Sequence, residues 1–434
     1  MPLLTLDKLK GKIGFFGRKE KGVKYLLALD IGTEFVKALV FAADLKEEKG
    51  EVLGVSKVRQ KVGNMQAAAV ADIEGVTAVC REAISQALAA AKKETNRAII
   101  GIAGEYVRGA ATVIAYQREK PEDKIDLPEL KNIVQKVQWQ AFNKIRRQLA
   151  EEINISEIEI KLLNAAIVDV RIDGYQVTSP LGFQGRELSL TVFNVYAPMV
   201  HLGAIETIAK SLKLDLISVA AEPYAIARSI DLKNKQNFSK GNAIIVDIGG
   251  GTTDVALIRN GAIEGVRSFA IGGQAFTKRL GGILGLSFQQ AEEVKLKYSQ
   301  GEVGKIVKKK ITETFKKDLA IWTGGLSLIL EEFAQNSSLP SNILLCGGGS
   351  FLPGIKKALE DFDWAARLPL EGGIPEILFI NPEDIENIKD LTGTLKSYQD
   401  ITPMSLASLA IEIEKDKETT MGSIVKRAVR LIQS

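Results

Sequence analysis

The pattern of apolar and polar positions predicts the same strand–turn–strand unit at two distant places in the chain. Residues 25–41 read YLLALDIGTEFVKALVF, so that an apolar strand ends at Asp30, a glycine turn follows, and a second strand alternates with period two. Residues 243–258 read AIIVDIGGGTTDVALI and repeat this design around Asp247. An internal repeat of this kind predicts two similar halves that face each other.

The segments between the two hairpins predict helices and strands in a mixed α/β chain. Residues 66–93 are alanine-rich with helical spacing, and a second helix begins at Asp126, which is a suitable N-cap. Strand patterns follow at 158–171 and 187–196. We therefore predict that residues 104–197 form a separate α+β module inserted into the first half.

These patterns divide the chain into consecutive segments of different character. The predicted segments are a basic N-terminal segment (1–24), a first lobe (25–103 and 198–240) that contains the inserted module (104–197), a second lobe (241–400, with a helical part at about 275–340), a closing helix (401–413), a polar linker (414–420) and a terminal amphipathic helix (421–434).

Composition excludes several classes of function. The chain has 434 residues, of which 46% are hydrophobic and 25% charged, as in ordinary globular proteins. No apolar run approaches the roughly 18 residues that span a bilayer, and no signal peptide is visible, so we expect a cytoplasmic protein. The single histidine, His201, and the two cysteines argue against histidine catalysis, a zinc site and a disulfide framework.

Positive charge is concentrated at the two ends of the chain. The formal net charge is +4, yet residues 1–24 carry seven Lys/Arg against two Asp/Glu, and residues 421–434 carry three cations and no acid. This distribution favours an anionic surface contacted by the termini over a protein body that binds nucleic acid. The N-terminal segment fits either a second membrane contact or a disordered tail.

The two hairpins carry the candidate phosphate-binding residues. The glycines after Asp30 and Asp247 let backbone N–H groups approach a phosphate, and Thr33, Thr252 and Thr253 add hydroxyl donors. Two carboxylates would repel a polyphosphate unless a Mg²⁺ ion lies between them. Either hairpin alone fits an ordinary β-turn, but the pair favours a phosphate site.

Two further motifs are weaker evidence for a nucleotide site when each is taken alone. The sequence GGGSFLPG at 347–354 follows an apolar strand, yet Ile355 stands where a P-loop needs lysine. Asp254 similarly occupies the third glycine position of a dinucleotide-binding fingerprint. Glu222, next to Pro223 at a predicted strand–helix junction, could orient a water molecule for attack on a phosphate, and otherwise is a surface loop acid.

Taken together, these motifs resemble the actin-like ATPase superfamily, in the order in which that superfamily has them. The matching segments are DIGTEFVKALV (30–40), AEPYAIA (221–227), DIGGGTTDVA (247–256), GGGSFLPG (347–354) and TPMSLASLAI (402–411). The resemblance implies two similar lobes around a cleft that binds ATP and Mg²⁺, with at most slow hydrolysis. It implies metal binding by Asp30 and Asp247 and a water-orienting Glu222. It implies nucleotide binding by Gly32, Thr33, Lys37, Gly249, Gly250, Gly251, Thr252, Thr253, Glu292, Lys295, Gly348, Gly349 and Ser350.

Two features resemble the bacterial cell-division family FtsA in particular. The segment IDGYQVTSPLGFQGRELSLTVFNV at 172–195 is similar to the part that closes the extra subdomain of that family. The last fourteen residues form an amphipathic pattern that favours an interfacial membrane helix over a helix packed on the protein's own core. Its apolar face includes Ile424, Val425, Val429 and Ile432, and its basic face includes Lys426, Arg427 and Arg430.

The resemblance implies a protein that forms filaments and tethers a ring of the tubulin-like FtsZ to the cytoplasmic face of the membrane at the division site. One alternative is PilM, a cytoplasmic platform for type IV pilus assembly, which lacks the terminal helix. A metabolic kinase or a chaperone is a further alternative. No sugar-binding signature is visible, and too few residues follow Gly354 for a peptide-binding domain.

Overall fold

The computed structural model describes residues 22–105, 107–153, 160–230, 232, 241–335 and 337–416. Most of the basic N-terminal segment and the terminal amphipathic helix, with its membrane residues Ile424, Val425, Lys426, Arg427, Val429, Arg430 and Ile432, lie outside the described residues. Residues 417–420 of the predicted linker lie outside them as well.

Strands form the sheets of the two lobes and of the inserted module. In chain order they are β1 (Val23–Ile31), β2 (Phe35–Asp44), β3 (Lys49–Arg59), β4 (Met65–Gln66), β5 (Ala69–Val70), β6 (Arg97–Ile102), β7 (Arg108–Gln117), β8 (Ile160–Ile172), β9 (Tyr175–Gln176), β10 (Glu187–Pro198), β11 (Asp215–Ala221), β12 (Ala243–Ile248), β13 (Thr253–Arg259), β14 (Ala262–Phe269), β15 (Asn342–Cys346), β16 (Glu376–Phe379) and β17 (Ile388–Asp390).

Helices cover the sheets and form a separate helical part of the second lobe. They are α1 (Ile73–Ala91), α2 (Leu127–Ile153), α3 (Met199–Ser211), α4 (Glu222–Ser229), α5 (Gly273–Leu284), α6 (Phe288–Gln300), α7 (Lys305–Phe333), α8 (Ile355–Glu360), α9 (Trp364–Arg367) and α10 (Ile401–Asp416). In the part of the chain that the structure describes, none of these helices is both long enough and apolar enough to cross a membrane.

The two lobes are built on sheets of the same topology. One sheet has the order β11-β6-β1-β2-β3-β17, and the other begins β16-β15-β12-β13-β14. In each lobe three consecutive strands form an antiparallel meander. A later strand pairs in parallel with the first strand of the meander, and a further strand pairs in parallel with that one. The repeat predicted from two hairpins therefore extends over five strands in each lobe, and the predicted α/β fold is confirmed.

The inserted module extends the sheet of the second lobe. After β14 the order continues β7-β10-β8-β9, and β14 joins β7 through the pairs Gly265–Ala110 and Val266–Gly109. One face of β10 packs under α2, whereas Phe193 and Val195 on its other face belong to the core of the first lobe. The module is inserted into the first half of the sequence, but its backbone hydrogen bonds connect it to the second lobe.

The end of the described chain returns to the first lobe. Strand β17 pairs in parallel with β3, with Ile388 opposite Gly50. The predicted second lobe (241–400) therefore extends too far, because β17 belongs to the sheet of the first lobe. Helix α10 then continues to Asp416, three residues into the predicted linker (414–420). Its extension is stabilised by Glu414, which is 1% exposed and accepts from Arg97 at 2.9 Å and from Lys24 at 3.3 Å.

The first long helix starts later than the alanine-rich pattern predicts. Residues 65–70 form the small β4–β5 hairpin, whose turn residues Ala67 and Ala68 both have positive φ. Helix α1 begins only after Asp72, whose side chain caps it by accepting from the backbone N–H of Gly75 at 3.0 Å. The high helix propensity of alanine is thus overridden by this cap and by the hairpin.

Helix α1 packs directly on β3 at Gly54. A β-carbon at this position would lie 2.3 Å from the carbonyl oxygen of Ala87 and 2.6 Å from the backbone nitrogen of Ala91. Any side chain therefore forces the helix away from the sheet and loosens the core of the first lobe.

We predict that Gly54→Ala lowers the free energy of unfolding by roughly 1–3 kcal/mol, because the added methyl group overpacks this contact. The measurement is urea denaturation followed by circular dichroism. Gly324→Ala in α7 is the matched control, since its β-carbon would meet no atom within 4 Å and alanine favours a helix. Equal destabilisation by both changes would contradict the prediction.

Candidate functional site

A cavity of about 320 Å³ lies between the two lobes, within the range of small-molecule sites. It is lined by the turns of both hairpins, the start of α4, residues of α5 and α6, and the glycine turn after β15. The predicted site residues that line it are Asp30, Gly32, Thr33, Lys37, Glu222, Asp247, Gly249, Gly250, Gly251, Thr252, Glu292, Lys295, Gly348 and Gly349.

Two of the predicted nucleotide-binding residues do not line this cavity. The Thr253 hydroxyl donates to the carbonyl oxygen of Ile271 at 2.7 Å and accepts from the indole N–H of Trp322 at 2.9 Å. The Ser350 hydroxyl donates to the carbonyl oxygen of Gly347 at 2.6 Å and is buried. Both hydroxyls are therefore used to hold the local structure and are not directed into the cavity.

The first hairpin pairs an acid with a base. Asp30 and Lys37 are opposite each other in the β1–β2 register, and the Lys37 Nζ lies 3.0 Å from Asp30 Oδ2. The same ammonium donates to the carbonyl oxygen of Gln399 at 2.7 Å. Burial lowers the pKa of Lys37, but Asp30 and the more distant carboxylates outweigh it, so the pKa is raised overall and the lysine stays charged.

The second hairpin pairs an acid with another acid. Asp247 and Asp254 are opposite each other in the β12–β13 register. Thr402 donates to Asp247 at 3.0 Å, while Thr252, at 3.1 Å, and Ser268 donate to Asp254. Burial raises the pKa of Asp247 to about 6 and, with the charge of Asp247 beside it, that of Asp254 to about 7.

Asp254 was not among the predicted site residues, although the sequence contains the signal for it. A two-strand unit that turns over Gly249–Thr252 places the residues on either side of the turn opposite each other. Counting outward from the turn brings Asp254 to the register position of Asp247, and Asp254 also lines the cavity.

Glu222 begins α4 directly at the end of β11 and is only 8% exposed, which contradicts the alternative of a surface loop acid. Burial, followed by the charges of Asp30, Asp254 and Asp247, raises the pKa of this carboxyl well above its usual value. Four carboxyl groups and one ammonium therefore share the end of the cavity at the two hairpins.

The two hairpins approach each other closely at glycine. A β-carbon at Gly251 would lie 2.7 Å from the Thr33 hydroxyl and 3.0 Å from the backbone nitrogen of Ala68. The lobes are also joined by the Gln274 amide, which donates to Glu34 at 3.0 Å. The glycines are needed here because any side chain would separate the hairpins.

Glu292 and Lys295, one turn apart on α6, are buried rather than solvated. Lys295 Nζ lies 2.8 Å from Glu292 Oε2, and it donates to the carbonyl oxygen of Gly273 at 3.0 Å and to the Thr277 hydroxyl at 2.8 Å. This cluster fixes α6 against α5 and presents a charged pair to the cavity.

The carboxyl groups are suited to a cation that also binds phosphate and water, and not to a cation bound by protein ligands alone. Among the described residues, no three His, Cys, Asp or Glu side chains come together as metal ligands. Mg²⁺ keeps several waters and is commonly bound by one or two carboxylates together with substrate phosphates. Asp30 and Asp247, on facing hairpins, are suited to such an ion.

Two lobes of repeated topology that meet at a cavity lined by two Asp-Gly hairpins define an actin-like ATPase fold. The solved PilM–PilN type IV pilus biogenesis complex is similar to the chain with a TM-score of 0.59 and 19% identity, covering 90% of this chain and 98% of the other. At that identity the likeness concerns the fold alone.

Within this class, the chain is related to a cell-division protein. A family model described as "Cell division protein FtsA" matches residues 244–393. The FtsA of Streptococcus pneumoniae is 23% identical over 94% of this chain and 89% of its own length. That of Pseudomonas aeruginosa is 25% identical over 91% of each chain. The predicted resemblance to FtsA is confirmed.

We predict that the free energy of unfolding of Asp254→Asn, relative to that of the unsubstituted protein, increases as the pH rises. The native pKa of about 7 lies above the unfolded value of 3.8, so the proton on Asp254 contributes stability at low pH that is lost between these two values. Asparagine does not ionise. The relative gain from pH 5 to pH 8 should be on the order of 1–3 kcal/mol.

The measurement is urea denaturation of both proteins at the two pH values in metal-free buffer. Glu94→Gln, at an exposed position, controls for the loss of a surface carboxyl group. A difference between Asp254→Asn and the unsubstituted protein that stays constant with pH would rule out a buried, proton-binding Asp254.

Proposed function

We propose that this protein is an ATP-binding, membrane-tethered actin-like protein that polymerises and anchors the cell-division ring to the cytoplasmic membrane. The ring would be formed by a tubulin-like FtsZ partner. The observation that carries this proposal is the pair of Asp-Gly hairpins on facing lobes, in a chain whose curated relatives are FtsA proteins.

The proposed nucleotide runs along the cavity from the hairpins to α6. Backbone N–H groups at Thr33 and Gly250–Thr252 bind the phosphates, and Asp30 and Asp247 hold Mg²⁺ through water. The N–H groups of Gly32 and Gly249 close the two turns instead, by donating to the carbonyl oxygens of Phe35 at 3.1 Å and Thr252 at 2.9 Å. Lys37 contributes a positive charge at the same end. Glu292 and Lys295, with Gly348 and Gly349, face the nucleoside. Thr253 and Ser350 support this arrangement through the backbone instead of contacting nucleotide.

The protonation of Glu222 fits a nucleotide switch with slow turnover. Glu222 lies in the cavity beside the carboxyl groups of both hairpins and orients the attacking water. Burial and these neighbours raise its pKa, which favours the protonated form of the carboxyl over the ionised form that would accept a proton from water. ATP bound between the lobes would then persist long enough to govern assembly into filaments.

The described residues next to the two basic segments lie close together in the first lobe. The described residues begin at Gly22 and end, apart from internal gaps, at Asp416. Close to these two ends, Lys24 and Glu414 form an ion pair at 3.3 Å. Residues 1–21 and 417–434 therefore start from neighbouring points, which supports one anionic surface facing both basic segments.

The amphipathic pattern of residues 421–434 supplies the tether in this proposal. Seven apolar residues share one helical face, opposite Lys426, Arg427 and Arg430. The PilM alternative has no such helix and rests on a likeness of fold alone, so FtsA-like anchoring is the function favoured here. Localisation to the division site then follows from binding of the ring protein.

The proposal predicts co-sedimentation with anionic liposomes that depends on residues 421–434, and ATP-dependent assembly on the lipid. The full chain should bind, and a chain that ends at Thr420 should remain in the supernatant. Val429→Glu, on the apolar face, should reduce binding about tenfold or more, because a charge cannot enter the acyl boundary.

Ser423→Glu is the matched control, since it adds the same charge on the polar face and should weaken binding much less. Equal binding by the truncated chain would show that the terminal helix is not the anchor. Binding without ATP-dependent assembly would count against the filament-forming part of the proposal.

A further inference from the structure

A β-bulge in the inserted module faces the first lobe. Strand β8 pairs with β10 through Asn164–Val195 and Leu162–Tyr196, so that Leu163 is one extra residue between the paired positions. Leu163 packs in the core of the first lobe, whereas Leu162 packs with residues of α2 on the other face. A bulge changes the direction of the side chains beside it. The side chain of the next residue, Asn164, therefore also reaches the first lobe.

Asn164 hydrogen-bonds the end of β11. Its side-chain oxygen accepts from the backbone N–H of Ala221 at 3.0 Å, and Asn164 is 7% exposed. Ala221 is the last residue of the edge strand β11 and the N-cap of α4. A buried backbone N–H that loses its acceptor costs free energy, so this contact fixes the point at which the strand becomes a helix.

A second contact joins the module to α4. The ring of Phe193 on β10 stacks on that of Tyr224 on α4, with 5.9 Å between the centroids and 5° between the planes. Both rings are buried. Stacked aromatic pairs have a preferred geometry and resist displacement. The module therefore holds α4 at two places, through the backbone of Ala221 and through the ring of Tyr224.

Glu222 lies between these two contacts. A β-carbon at Gly101 would lie 2.9 Å from Glu222 Oε1 and 3.0 Å from its Cγ, so the Glu222 side chain packs directly on β6. The side chain has little room to adjust when the start of α4 moves. A shift of Ala221 is therefore transmitted to the carboxyl group of Glu222, which lines the cavity.

The sheet that carries Asn164 continues into the second lobe. Strand β7 of the module pairs with β14, and Arg267 of β14 donates to the carbonyl oxygen of Gly109 on β7 at 3.1 Å. The module is thus bonded to the strands of the second hairpin and to the start of α4 in the first lobe. A partner that moves the module would act on Glu222 through Asn164.

We propose that Asn164 is a positioning residue for Glu222, through which the inserted module is coupled to hydrolysis of the bound nucleotide. This inference rests on the proposed function, in which Glu222 orients the attacking water. Asn164 does not itself line the cavity between the lobes, so its effect on the nucleotide is indirect.

The test separates hydrolysis from binding. Asn164→Leu keeps the volume and removes the acceptor, and it should lower the single-turnover rate of Mg·ATP hydrolysis about tenfold or more, because a displaced reacting group loses rate steeply. The dissociation constant for Mg·ATP should stay within about twofold, since the groups that bind the nucleotide are unchanged. Asn164→Asp keeps an acceptor oxygen at the same position and should restore the rate. Leu162→Val, on the α2 side of the same strand, controls for a weakened module and should change neither quantity.

Hydrogen exchange followed by mass spectrometry gives a readout that does not require turnover. Mg·ATP should slow exchange in residues 160–166 of the unsubstituted protein, because nucleotide bound beside Glu222 restrains α4 and, through Asn164, the module. In Asn164→Leu this protection should disappear, whereas protection of the hairpins at 28–36 and 246–254 should remain. Retained hairpin protection also shows that the variant is folded.

Several results would overturn the inference. Asn164→Leu could hydrolyse Mg·ATP at the unsubstituted rate, or lose rate and affinity in parallel, or Asn164→Asp could be as slow as Asn164→Leu. Protection of residues 160–166 that persists in Asn164→Leu, or is absent from the unsubstituted protein, would also contradict it. So would an unsubstituted protein that binds Mg·ATP without hydrolysing it. If Mg·ATP neither binds nor protects the hairpins, the proposed function itself fails.

Discussion

The repulsion among buried carboxyl groups is the constraint on which the rest of the site depends. Asp30, Asp247, Asp254 and Glu222 converge where the lobes meet, and Lys37 is the one cation that the structure describes in direct ion-pair contact with them. Burial and mutual repulsion raise the pKa of Asp247, Asp254 and Glu222. Threonine hydroxyls and one lysine offset part of this repulsion, and the arrangement is suited to a divalent cation.

The two lobes share a topology but differ in chemistry at the same register position. The first hairpin places Lys37 opposite Asp30, whereas the second places Asp254 opposite Asp247. In the first hairpin, Lys37 therefore neutralises the charge of Asp30. In the second hairpin, the charge of Asp247 needs a proton or a bound cation to offset it. Under the proposed function, a bound Mg²⁺ would therefore offset more uncompensated charge in the second hairpin than in the first.

The sequence predicted the parts of the site that depend on local pattern. Asp30, Asp247 and the glycines lie in contiguous hairpins, and the register that adds Asp254 follows from the same pattern. The hydroxyl contacts of Thr253 and Ser350 did not follow from the sequence, because the direction of a hydroxyl depends on its partners in the fold, such as Trp322 for Thr253. The return of β17 to the first sheet is a long-range backbone pairing that no local pattern encodes.

Proton release on binding of Mg·ATP tests this account most directly. Isothermal titration calorimetry at pH 6.5, in buffers of different ionisation enthalpy, measures the number of protons exchanged with the buffer. The account predicts a net release of about one proton per nucleotide, because the cation favours the ionised form of the carboxyl groups. Binding without proton exchange, or with proton uptake, would contradict the claim that these groups hold protons until the metal–nucleotide complex displaces them.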